Sequence, residues 1–61
     1  MNWCVTFETS EVLGKDGVSL VPFLDDAMIF SSQENCFDYI AKNRDALLNL
    51  GSNPLPSKLK G

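Results

Sequence analysis

The chain has 61 residues and a mass of 6.7 kDa, with 44% apolar residues, 21% charged residues, no histidine and a net charge of −3. A domain of this size buries only about 60% of the surface its unfolded chain exposes, so one small core is the ceiling and a large internal cavity is excluded. The apolar content is too high, and the charge too low, for a chain disordered throughout.

Residues 2–9 (NWCVTFET) alternate with period two. Trp3, Val5 and Phe7 fall on one face, and Asn2, Cys4, Thr6 and Glu8 on the other. Their aromatic and β-branched content predicts a strand with one buried face, which leaves Cys4 exposed or facing a partner. Residues 10–17 (SEVLGKDG) carry turn chemistry at Gly14 and Asp16-Gly17. Two readings stand for this stretch: a short hairpin arm at Val12-Leu13, or a connecting loop throughout.

Residues 18–23 (VSLVPF) read as a second strand that is apolar on both sides. Val18 and Leu20 share one face, Val21 and Phe23 the other. Pro22 has no amide to donate and confines that end to an edge, a bulge or a terminus. Leu24-Asp25-Asp26 then turns the chain, and residues 27–30 (AMIF) continue as a third strand. The alternative is a helical start at Asp25 or Asp26, which would leave a two-stranded hairpin before a longer helical region.

The helix signal is clearer. Ser31-Ser32-Gln33-Glu34 fits the S-x-x-E capping box, and Glu34 places negative charge at the positive end of the helix dipole. A helix over residues 35–50 follows, with Gly51 where a left-handed C-terminal cap belongs. At about 100° per residue, Cys36, Phe37, Ile40, Ala41, Leu47 and Leu48 form one broad apolar face. Tyr39 falls outside it and reads as an exposed aromatic. Arg44 lands inside it, where an unpaired charge is expensive. Either the helix breaks at Asn43, which then caps a second short helix, or the Arg44 stem packs while its guanidinium reaches a carboxylate or a partner. The last segment, with Pro54, Pro56, Lys58 and Lys60, reads as a flexible tail over residues 53–61.

Several chemistries lack their residues. Without histidine there is no Ser-His-Asp triad, no Cys-His pair and no imidazole metal ligand. Cys4 and Cys36 are separated by 31 residues, which is not a zinc spacing, and no glycine-rich phosphate loop occurs. Asp25-Asp26 reads as a solvated turn rather than a cation site. Met1-Asn2-Trp3-Cys4 has neither the basic segment nor the apolar core of a secretory signal, and no apolar run reaches the ~18 residues of a membrane span. A soluble cytoplasmic protein with free thiols is therefore expected, a Cys4–Cys36 bridge being the alternative for a secreted chain. Residues 1–41 carry seven acids and one base, and residues 42–61 four bases and one acid. An acidic body repels nucleic acid, so direct DNA or RNA binding is not expected.

The expected fold is α+β. A small antiparallel meander of about three strands packs against one C-terminal helix, continuous or broken near Asn43, with residues 1–52 forming the compact domain. The expected function is that of a non-enzymatic binding or modulator protein, comparable in size and composition to accessory proteins of phages and mobile elements. It needs no metal or cofactor and works by contact with a larger protein through Tyr39, Arg44, Phe23 and Val21. The alternative is a self-associating subunit, a homodimer through an edge strand or an apolar helix face.

Overall fold

A computed structural model describes residues 2–22 and 24–59. The fold is α+β: a four-stranded antiparallel sheet with two short helices. The strands are β1 (Trp3–Thr6), β2 (Val12–Leu13), β3 (Leu20–Val21) and β4 (Leu55–Lys58), in the order β3-β2-β1-β4. The helices are α1 (Gln33–Lys42) and α2 (Arg44–Leu50).

β1 is a central strand because it has a partner on each edge. On one side β4 pairs with it along its full length, from Trp3 opposite Lys58 to Thr6 opposite Leu55. On the other side Thr6 lies opposite Val12, after which β1 and β2 diverge. Residues 27–30 fill the gap. Trp3 and Phe30 exchange two backbone hydrogen bonds, Met28 N–H donates to the Leu13 carbonyl, and Gly14 bridges Ala27. The third strand expected at residues 27–30 is thus an extended wedge with a bridge at each end. A single 3-10 turn at Leu24–Asp26 is all that forms of the alternative helical start.

The β2–β3 connection is the hairpin reading of residues 12–21, with Val12 opposite Val21 and Leu13 opposite Leu20. The Asp16 carboxylate closes its turn by accepting the amides of Val18 and Ser19, both at 3.0 Å, and the Ser19 hydroxyl at 2.7 Å. These donors hold the Asp16 carboxyl below its ordinary range. Gly17 takes φ +76°, a conformation that costs any L-residue with a Cβ. The predicted second strand shrinks to two residues, and Val18 is exposed in the turn.

Strand alternation divides the core between the two faces of the sheet. On the helical side Val5, Phe7 and Leu13 meet Cys36, Ile40 and Leu47, with Trp3, Leu20, Met28, Phe30, Tyr39 and Leu50 packed around them. On the other side Cys4, Val12 and Ala27 form a smaller cluster, flanked by Val21 and Leu59. This corrects the one-sided reading of the first strand. Cys4 is 1% exposed, because the wedge at Ala27 and Leu59 beyond β4 cover the face that its polar neighbours had marked as open.

The capping details also differ from expectation. The helix N-cap is Ser32, not Ser31: its hydroxyl accepts the Asn35 amide at 3.1 Å, while Asn35 donates its side-chain amide to the Ser31 hydroxyl. The helix does break at Asn43. Asn43 makes no side-chain cap for α2 and instead donates both its backbone amide and its Nδ2 to the Tyr39 carbonyl, closing α1. Gly51 is extended, at φ −170°, rather than left-handed. A glycine belongs there for space, since a Cβ would stand 2.9 Å from the buried Phe7 ring.

The flexible tail is overturned for the residues that form β4. Two prolines argue against a central strand but not against an edge. Leu59 N–H donates to the Asn2 carbonyl, so the alternation puts the hydrogen-bonded pairs at Asn2–Leu59, Cys4–Ser57 and Thr6–Leu55. Pro56, opposite Val5, falls between them with its missing amide directed outward. The compact domain therefore extends through residue 59.

Candidate functional site

The apolar helix stripe is only half used by the core. Cys36, Ile40 and Leu47 are buried, whereas Phe37 is 58% exposed, Leu48 is 48% exposed and Ala41 is exposed as well. Helical geometry accounts for this partition: at about 100° per residue Cys36, Ile40 and Leu47 share one stripe, and Phe37, Ala41, Arg44 and Leu48 share the next. The first stripe lies on the sheet, and the second, one step around the cylinder, is left outside. The sequence reading places all six on one broad apolar face.

Those outer residues line a groove of about 200 Å3 between the two helices and the sheet edge. Phe37, Ala41, Arg44 and Leu48 form its helical wall, and the segment from Asn53 to Pro56 forms the other. Pro56 lies on the helical side of the sheet with Val5, and Leu55, 60% exposed, borders the groove at the edge. A second, shallower depression continues along α1 past Gln33, Glu34, Phe37 and Asp38. The exposed strip therefore carries an acid near the start of α1, apolar residues along its middle and Arg44 toward the other end. Among the described residues the one ion pair is Lys42–Asp38, at 3.0 Å and open to solvent. Arg44 stands exposed in the groove wall.

Of the four residues predicted to contact a partner, the three that are described do not form one surface. Arg44 belongs to the groove. Tyr39 is half-buried on another side of α1, with its ring tilted against Phe30 at a centroid separation of 5.3 Å. Its hydroxyl lies where a Cβ on Gly17 would come to 3.0 Å, so Tyr39 ties α1 to the β2–β3 turn rather than standing free. Val21 is half-buried on β3 against the smaller cluster. Phe23 lies outside the described residues. Phe37 and Leu48 were missed because their helical spacing is that of core residues. The nearby proline pair was the signal that a short edge segment follows, but it reads equally as a flexible tail.

No family model matches the chain, nor does any curated protein or solved structure.

The thiols offer little chemistry. Cys4 and Cys36 are both free and buried, on opposite sides of the β1 backbone, and the Cys36 thiol donates to the Cys4 carbonyl at 3.4 Å. Burial raises the Cys4 thiol, and burial with a contribution from Cys4 pushes Cys36 up to about 11. At neutral pH both are thiols, which are poor nucleophiles compared with thiolates. The folded chain keeps the Cys36 proton at pH values where an unfolded chain, near 9.0, releases it. That contribution to stability is complete below about pH 9 and is lost as the pH rises toward 11. Thermal unfolding at a series of alkaline pH values is expected to show Tm falling across this window. In Cys36→Ala, less stable at pH 7, the fall should be shallower, and an equally steep fall would refute the assignment.

Among the described residues, no three histidine, cysteine or carboxylate side chains gather as metal ligands would, and no helix is long and apolar enough to cross a membrane.

Proposed function

We propose that this chain is a small, non-enzymatic, intracellular binding protein that acts as a modulator by contact with another protein through the α1–α2–β4 groove. The observation that supports it is the exposure of Phe37, Leu48 and Leu55 around Arg44 in a chain with so little apolar surface to spare. A small domain is stabilised by every apolar side chain it covers. Large ones held outside on ordered elements, next to a cation, match the composition of protein-binding surfaces, where aromatic residues and arginine are enriched. Both a larger protein and a second copy of the chain satisfy this reading.

A photo-reactive amino acid placed at Leu48 tests it. Irradiation in expressing cells is expected to join the chain to another protein, whereas the same group at Lys15, on the β2–β3 turn, should give no adduct. Equal labelling from both positions, or none from Leu48, contradicts the proposal. Replacing the exposed Arg44 with alanine should weaken adduct formation and change stability by less than about 0.5 kcal/mol.

A further inference from the structure

We infer that the occupant of the groove is a second copy of this chain, paired through α1 and the start of α2 about a two-fold axis. The inference rests on the reading of the groove as a protein-contact surface and names its partner. Its basis is self-complementarity in charge and shape. Glu34, Phe37, Ala41 and Arg44 are all exposed, and the two depressions that they line share Phe37 and Ala41. In an antiparallel pairing of two such strips, Glu34 of each copy faces Arg44 of the other, and Phe37 of each faces Ala41 of the other. Both pairs are centred on the level of residue 39. A two-fold interface requires this, because a contact between residues i and j must be repeated between j and i. The large ring of Phe37 thus meets the smallest side chain of the strip, twice, and each end of the strip meets the opposite charge.

The sheet edges do not offer a competing route. β3 is two residues long and stops at Pro22. On β4 the outward-facing positions fall at 54, 56 and 58, and prolines at two of them remove the amides that edge-to-edge pairing needs. An interface at the low end of the usual range, below about 1,200 Å2 in total, takes only a modest part of the 4125 Å2 that each chain exposes.

Sedimentation equilibrium of the purified chain from about 10 μM to about 1 mM, the range in which so small an interface dissociates, tests the inference. The mass is expected to climb from 6.7 kDa toward twice that value. Arg44→Glu should hold the chain as a monomer throughout, by setting like charges opposite each other at both ends, and Phe37→Asp should do the same. The double variant Glu34→Arg, Arg44→Glu restores opposite charges and should restore the dimer. A wild-type chain that stays monomeric at the highest concentration overturns the inference. So does a dimer indifferent to Arg44→Glu and Phe37→Asp, or a double variant that remains monomeric. If the chain is monomeric while Leu48 still crosslinks to a different protein, the dimer fails and the protein-contact reading stands. If Leu48 gives no adduct either, both fail.

Discussion

Leu47→Ala is expected to bring the chain close to unfolding, while Leu48→Ala, one residue on, leaves it almost untouched. Leu47 is fully buried and is the one buried side chain through which α2 reaches the core. It packs in the cluster that also holds Val5, Phe7 and Cys36. Truncating such a leucine costs about 2–5 kcal/mol, the transfer term plus the cavity left behind. At about 0.05–0.15 kcal/mol per residue, a chain this short has only about 3–9 kcal/mol in total. Leu48 is nearly half exposed in the groove, and shortening it removes little packed surface. Its cost should stay below about 0.5 kcal/mol. Urea titration followed by circular dichroism separates the two. Equal losses would mean that α2 is rotated from the position described and that the groove is not lined as stated.

The second large effect is expected from removing residues 54–61. The shortened chain should lose cooperative unfolding altogether. β4 supplies one entire side of the central strand, and Leu59 covers part of the smaller cluster on the face away from the helices. Each ladder hydrogen bond is worth about 0.5–1.5 kcal/mol net, and several are lost together. The burial of Cys4 is reduced at the same time. A flexible tail would give the opposite result, since its removal leaves the melting curve in place. Thermal unfolding of the two lengths side by side decides between them.

How much of this was legible in the sequence depended on whether the signal was local. The first strand, the turn at Asp16-Gly17 and the helix break at Asn43 each follow from residues within a few positions of one another. The Arg44 anomaly was informative in itself: a charge within the apolar arc, read as a break at Asn43 or as a guanidinium reaching outward, pointed to the break and to the exposed wall. What was hidden depended on distant partners. The strand at Leu55–Lys58 exists because β1 has a free edge some fifty residues earlier in the chain, and no local propensity of Leu-Pro-Ser-Lys announces it. The covering of Cys4 by Ala27 and Leu59 is likewise long-range. The groove inherits both difficulties. One wall is an unforeseen strand, and the other is made of residues whose helical spacing points to the core. Phe37 and Leu48 each follow a buried residue, Cys36 and Leu47, by one position, and that step of about 100° is enough to leave them on the surface.

The structural claim beneath the rest is that residues 55–58 form an ordered edge strand, with one row of amides turned inward and the outward row depleted by proline. Amide hydrogen exchange measured by nuclear magnetic resonance tests it directly. Protection is expected at Leu55, Ser57 and Leu59, whose positions alternate with the outward-facing ones, and fast exchange at Lys58. Uniformly fast exchange from Leu55 to Leu59, alongside protected amides in α1, would contradict the strand and with it the groove.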